Sequence, residues 1–317
     1  MGRMEVPEPA RELAETQDWV VSRSQLVAVG ISTKLIKHQL AKGTWQKLYR
    51  GVYALLTGTP TRNQWRWGAV LRAGAGAALS HHTAAELHGM VKEPPPDTPI
   101  HVTVPANRHL DTRNGLIIAT RPEWPTIVVH MSRRVADATQ PNRAPARTTI
   151  EETVLDLTQV CRRLDDVVGW VTRAFGTWKT TETKLREALV IRKKARWRNE
   201  IYEALAAAGS GVHSPLEYRY YRNVEKAHAL PSARRQVKVT IDGRSAYRDV
   251  YYDKYRVAVE LDGVLAHPDT QRARDRHRDV AASVEGIVTA RYGWEEVAGN
   301  PCETARERAR GARRCLD

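Results

Sequence analysis

Two carboxylates near the C-terminal end carry the sharpest chemical signal in this sequence. Residues 236–241 and 244–252 alternate in polarity around Asp242-Gly243, a two-residue hairpin signal. A second hairpin runs from Tyr247 through a polar turn at Asp253-Lys254-Tyr255 into Arg256-Val257-Ala258-Val259-Glu260-Leu261-Asp262. Alternation puts Val257, Val259 and Leu261 on one face and Ala258, Glu260 and Asp262 on the other. A turn centred on Lys254 and Tyr255 sets Asp249 opposite Glu260, with their β-carbons ~4.5–5.5 Å apart. Two carboxylates that close repel unless a cation or a proton lies between them. A hard divalent cation is one occupant: Mg2+ prefers carboxylate and water oxygens, and metal-bound water can be turned against a phosphodiester. Charge balance is the other reading, with each carboxylate paired to a neighbouring Arg248, Arg256 or Arg276.

The elements that would hold such a site fall into a multidomain α+β pattern. The first stretch, 10–60, reads as short helices followed by a hairpin. Leu26, Val27, Ala28 and Gly30 close one helix, and Ser32 or Thr33 caps another with Leu35, Ile36 and Leu40 on one face. Gly43 stops it, and strands follow on either side of Arg50-Gly51. The middle, 66–160, is a central α/β module. It has a helix over 67–79, a cap at Ser80 before a helix over 81–88, strands at 100–104, 115–120 and 126–131, and a helix over 148–160. Residues 161–208 read as a basic helical linker, and Gly209-Ser210-Gly211 as a flexible break before a last domain at 212–317.

Charge separates these regions. The 317 residues carry 50 Lys and Arg against 36 Asp and Glu, a net +14. Residues 71–160 are balanced, 9 against 9, whereas 1–70 hold 10 basic against 5 acidic residues. The excess therefore sits towards the two ends and the linker, where contact with phosphate is the ordinary use of a basic surface. No apolar run approaches a membrane span. The first twenty residues include Glu5, Glu8, Glu12, Glu15 and Asp18, unlike a secretory signal. Cys161, Cys302 and Cys315 are odd in number and show no CxxC spacing, so neither a disulfide framework nor a zinc cluster is indicated and a cytoplasmic location fits.

Leu26 to Leu40 has the build of a helix-turn-helix with Gly30 at the turn. Its second helix presents Thr33, Lys34, Lys37, His38 and Lys42 opposite the apolar face, as a helix reading a major groove would. Lys47 and Arg50 on the hairpin would form a wing beside the backbone of double-stranded DNA; a solvated helix face is the plain alternative. The segment Gly43-Thr44-Trp45-Gln46-Lys47-Leu48-Tyr49-Arg50-Gly51-Val52-Tyr53-Ala54 resembles the winged-helix opening of AbiEi-family antitoxins. Ser80-His81-His82-Thr83-Ala84-Ala85-Glu86-Leu87-His88-Gly89 and Ile100-His101-Val102-Thr103-Val104-Pro105 are similar to that family's central region. This resemblance, over about 20–160, implies a transcription-regulating partner of a nucleotidyltransferase-type toxin in a type IV toxin–antitoxin system. Taken alone, His81 and His82 could be read as metal ligands, but adjacent histidines near a helix start are more often capping or packing residues.

A second resemblance covers about 213–310. Ser214-Pro215-Leu216-Glu217, Arg235-Gln236, Arg248-Asp249, Glu260-Leu261-Asp262-Gly263, His267, Asp275-Arg276-His277-Arg278-Asp279 and Ala290-Arg291-Tyr292 follow one another as in bacterial relatives of the very-short-patch-repair endonuclease. These belong to the PD-(D/E)XK superfamily, which implies a restriction-endonuclease-like α/β domain with a mixed sheet and a Mg2+ or Mn2+ cofactor. On that resemblance Asp249 and Glu260 match the motif acids, and Glu217 the acid that completes the metal site. Asp262 stands where the common form has a lysine, which leaves His267 or Lys238 as the group that would move a proton. Two functions follow from the pair of resemblances. One is a metal-dependent DNA endonuclease, and the other a DNA-binding regulator with an inactive nuclease-like domain.

Overall fold

The computed structural model describes residues 6–176, 180–241, 244–262 and 286–314. The chain is a mixture of helices and three sheets, one antiparallel and two mixed, and divides into two compact units, Met1–Leu157 and Thr158–Asp317. Among the described residues no helix is long and apolar enough to cross a membrane.

The first unit opens with α1 (Glu8–Thr16), β1 (Val20–Ser22), α2 (Arg23–Ala28) and α3 (Thr33–Ala41). Ser22 caps α2 in a reciprocal box with Gln25, and Ser32 Oγ accepts the Leu35 amide to cap α3. Gly30, at φ 84°, makes the turn between them in a conformation that other residues adopt at a cost. The hairpin strands β2 (Gln46–Tyr49) and β3 (Val52–Ala54) pair antiparallel, with β1 added on the far side of β3. α4 (Arg62–Ala73) follows, started by a capping box between Thr61 and Gln64. It begins earlier and ends sooner than the helix expected over 67–79, because the apolar run continues into a strand, β4 (Ala78–Leu79). After α5 (His81–Leu87), the strands β5 (Ile100–Pro105), β6 (Leu116–Ile117) and β7 (Ile127–Ser132) complete a sheet ordered β4-β5-β7-β6. Within it β5 and β7 run parallel. α6 (Val135–Ala138) follows, and the unit ends within α7 (Ile150–Val160), at Leu157.

Residues 10–60 keep a core of their own, with Leu26, Ile36, Trp45 and Leu55, and also share a second one with 66–160. Leu48, Tyr49 and Val52 of the first sheet, Trp65, Ala69 and Ala73 of α4, and Ile100, Val102, Val104 and Ile127 of the second sheet form one buried cluster. Trp65 stands at its centre, edge-on to Tyr49 with ring centroids 5.7 Å apart and 5.0 Å from the Trp124 ring. Aromatic burial there ties the two sheets to one helix.

In the second unit, α8 (Leu164–Gly176), α9 (Glu182–Ile191) and α10 (Arg198–Gly209) are packed helices rather than a linker. Their charge hides an apolar face of Val167, Val168, Val171, Leu185, Leu189, Ile201 and Leu205, all fully buried. Gly209-Ser210-Gly211 is likewise not a loose break. It ends α10 with Gly211 at φ 93° and the Val212 amide bonded back to Ala207, a glycine stop of the usual kind. A β-carbon at Gly211 would approach the Arg235 β-carbon to 3.1 Å. α11 (Pro215–Arg219) continues through a wider turn at Tyr220–Lys226. The sheet is ordered β11-β10-β9-β8, from β8 (Arg234–Ile241), β9 (Arg244–Tyr252), β10 (Val257–Leu261) and β11 (Val288–Tyr292). β10 and β11 run parallel, the other pairs antiparallel. One sheet face, with Val250, Tyr252, Val259 and Leu261, packs on Leu216, Tyr220 and Val224. α12 (Pro301–Arg314) ends the described chain.

Replacing Trp65 with Ala should cost about 3–5 kcal/mol, the usual range for emptying a buried aromatic site. Urea unfolding of the full chain measures this. A loss below about 1 kcal/mol would mean that the two sheets do not share a core through this ring.

Candidate functional site

Glu217 is fixed before any ligand is considered. Ser214 caps α11, its Oγ accepting the Glu217 amide at 3.2 Å, and Pro215 occupies the first turn, where a missing N–H does no harm. The Glu217 carboxylate turns back to accept the His213 amide at 3.0 Å. The side chain is thereby held at the helix start with the residue 7% exposed. Its second partner is the Gln236 amide, whose Nε2 lies 3.4 Å from Glu217 Oε2 and 3.3 Å from Asp249 Oδ1. One amide nitrogen thus stands between the two acids. Gln236 adopts φ 49° within β8, between the regular pairs Arg235↔Val250 and Val237↔Arg248, a backbone region that non-glycine residues seldom occupy. Burial, and then the neighbouring Asp249 charge, push the Glu217 carboxyl above its usual range, against the hydrogen bonds from His213, Ser214 and Gln236.

Asp249 lies where two strands part. The pairs Val257↔Tyr252, Ala258↔Tyr251 and Val259↔Val250 have the register read from the sequence, and the next step is Asp249 and Glu260. At that step Asp249 Oδ2 accepts the Leu261 amide at 2.9 Å, so a side chain takes over from the ladder. Glu260 is half-buried and lies beside Arg291 in the parallel β10–β11 pair. Asp262 Oδ2 is 3.7 Å from Arg291 Nη1. Lys238 is exposed on β8, opposite Tyr247. His267, Arg276 and Gly263 lie outside the described residues. The structure therefore links Glu217 to Asp249 through the Gln236 amide, with Glu260 on the adjacent strand. The donor set is oxygen only, which suits Mg2+ or Mn2+. Still, the three acids do not bring one oxygen each within 4.8 Å of one another, as the histidines described below do with their nitrogens.

In the first unit Lys34, Lys37, His38 and Lys42 are exposed on and just after α3, and Lys47 and Arg50 are exposed on the hairpin. Thr33 is half-buried at the start of α3, and its Oγ1 accepts from Arg23 at 3.3 Å. Arg50 is partnered by Asp111 at 3.1 Å, a contact on a fully solvated surface. Lys34, Lys37, His38 and Lys42 thus form the basic face of the helix, while Arg50 has an acidic partner that the sequence did not reveal.

The structure also assembles a group of which sequence reasoning raised only His81, and preferred a capping or packing role for it. His81, His101 and His130 each offer one ring nitrogen within 4.8 Å of the others. His101 and His130 sit on the same face of the parallel strands β5 and β7, diagonal to each other across the pairs His101↔Val128 and Thr103↔His130. His101 Nδ1 is 3.0 Å from His130 Nε2, and the His81 ring stacks on His130 at 3.6 Å between centroids. Burial lowers His101 to about 3, helped by His130 and His82, and lowers His130 to about 4. Ser80, expected as a helix cap, makes no cap bond; its hydroxyl meets His81 Nδ1 at 3.0 Å instead. The available signal was a histidine at a non-core position in each of two strands. Sequence gave no means of knowing that those strands are neighbours.

No family model matches this chain, and no curated protein matches it. Among solved structures it is similar to that described as the crystal structure of RV2827C protein from Mycobacterium tuberculosis. The identity is 14% and the TM-score 0.40, over 73% of this chain and 86% of the other. A likeness that loose assigns neither fold nor activity, and the chemistry rests on the residues themselves.

Proposed function

We propose that this protein binds double-stranded DNA through α3 and the β2–β3 hairpin, and that its second unit is a metal-dependent nuclease acting on DNA phosphodiester bonds. One observation carries the nuclease reading: Glu217 and Asp249, two acids from a helix start and the interior of β9, are brought to either side of a single Gln236 amide. A fold with no use for a cation there would gain by replacing one acid with an apolar or amide group. Glu217, Asp249 and Glu260 would hold Mg2+ or Mn2+. The ion would supply a polarised phosphoryl oxygen and a more acidic water. The protein's own contribution is to hold the acids in place through the Ser214 cap, the His213 amide and the Leu261 amide.

A second reading is favoured by Asp262. On the resemblance to the PD-(D/E)XK superfamily it stands at the lysine position, and it faces Arg291 across 3.7 Å. On that reading the second unit is an inactive relative that serves binding, and the protein regulates transcription beside a nucleotidyltransferase-type toxin. In both readings DNA is the partner.

Three measurements on the full chain test these proposals. Changing Lys34 and Lys37 together to Ala should weaken duplex binding and flatten the salt dependence by about 0.9 per lost phosphate contact. Unchanged affinity and slope would remove α3 from the interface. Asp249→Asn should abolish Mg2+-dependent nicking of plasmid while duplex binding persists; equal nicking by both proteins would mean a contaminating nuclease.

The third measurement is of stability against pH. Glu217 has a raised folded-state pKa, so the folded form holds its proton more tightly than the unfolded one. Its contribution is present at low pH and is lost as pH rises from the ordinary carboxylate value through the folded one. Without metal, melting temperature should therefore fall over that interval, and Mg2+ or Glu217→Gln should remove the fall. A metal-insensitive profile would favour the regulator.

A further inference from the structure

We propose that His81, His101 and His130 bind one divalent transition-metal ion of the zinc class, which ties α5 to the parallel β5–β7 pair. This site lies in the first unit and does not depend on the nuclease reading.

The three nitrogens come from three elements: the first residue of α5, the second residue of β5 and the fourth of β7. For zinc held by imidazoles at ~2.0–2.1 Å in a tetrahedron, ligand nitrogens stand roughly 3.3 Å apart. His101 Nδ1 and His130 Nε2, at 3.0 Å, are within a few tenths of that spacing. His81 brings its nitrogen within 4.8 Å of both, so a ring rotation of modest size completes the set. Imidazole donors select zinc, copper, nickel or iron rather than magnesium or calcium.

The surroundings of the three rings fit the same use. His81 Nδ1 is engaged by the Ser80 hydroxyl at 3.0 Å, the kind of outer contact that fixes a ligand's tautomer and directs Nε2 to the metal. Ser80 makes that bond in place of a side-chain cap on α5, and His81 takes φ 49°, a left-handed conformation uncommon outside glycine. Thr83 Oγ1 accepts the His101 amide at 2.9 Å, which fixes β5 under the helix. Thr103 supplies a separate observation. It is 5% exposed, two residues along β5 from His101 and directly across from His130, and its Oγ1 has no hydrogen-bond partner among the described residues. A buried hydroxyl without a partner is costly. Water in the fourth position of a three-histidine site would give it one, which is the open pattern of such centres. A packing role explains the stacked rings but leaves the Thr103 hydroxyl and the uncapped helix without a cause.

The test uses the full chain, stripped with a chelator and titrated with Zn2+ alone. One equivalent should bind, with a rise of several degrees in melting temperature, because the metal binds only the folded form. His130→Gln and His101→Asn should each weaken binding by at least about 100-fold, whereas His228→Ala, in the other unit, should leave it unchanged. If those variants do not fold, X-ray absorption on the zinc-loaded wild type decides: a shell of imidazole nitrogens at ~2.0–2.1 Å supports the site. A shell of oxygens alone, or no binding at micromolar Zn2+, overturns it. So does undiminished binding by folded His130→Gln.

Discussion

Buried charge has to be matched, and both units are arranged around that requirement. In the first, the Glu86 side chain is 3% exposed between Arg62 at 2% and Arg66 at 6%, with contacts of 2.9 and 2.8 Å. Arg62 also donates to the Thr98 carbonyl, and its neighbours on α4 include Trp65 at the centre of the core. Removing one partner from such a group costs on the order of 3–5 kcal/mol, because the rest stays buried without compensation. The triad therefore pins α5 against α4. Since α5 begins at His81, it also sets where the histidine rings meet the sheet.

The second unit solves the same problem with neutral groups as well as charged ones. Glu225 pairs with Arg235 and accepts the Tyr252 hydroxyl at 2.5 Å, while Tyr252 contacts the Tyr220 hydroxyl at 3.3 Å. That cluster locks β8 to the wide helical turn. One residue later, Gln236 leaves regular strand geometry and sets its amide between Glu217 and Asp249. Arg235 is spent on Glu225, so the acids beside it are held by amide and backbone donors rather than by a guanidinium from that residue. Hydrogen bonds donated to a carboxylate favour its charged form and so offset the repulsion between the two acids.

The two candidate metal sites differ in hardness, and the difference keeps them apart. Oxygen donors at Glu217, Asp249 and Glu260 suit a hydrated magnesium ion, whereas three imidazoles suit zinc. Each is built by residues distant in sequence and carried on different elements, which is how a rigid scaffold positions chemistry more finely than a single loop.

Local rules determined a good part of this protein. Ser22, Ser32, Thr61 and Ser214 start helices as their types require, Gly30 and Gly43 turn the chain, and alternation places the strands over 100–105 and 127–132. The hairpin register that brings Asp249 towards Glu260 was also legible, because a tight turn leaves few pairings to choose from. What the sequence left open depends on neighbours far along the chain. The helices at 161–208 looked like a charged linker, since abundant Lys and Arg obscured an apolar stripe whose partners come later. Gly211 looked flexible because its role as a helix stop shows only once Arg235 is packed against it. Arg50 looked free to meet phosphate until Asp111 came beside it. Gln236, between the two acids, and the meeting of His81, His101 and His130 were decided by tertiary structure alone. A backbone kink in one case, and a parallel pairing of strands more than twenty residues apart in the other, leave no periodic trace in the sequence that encodes them.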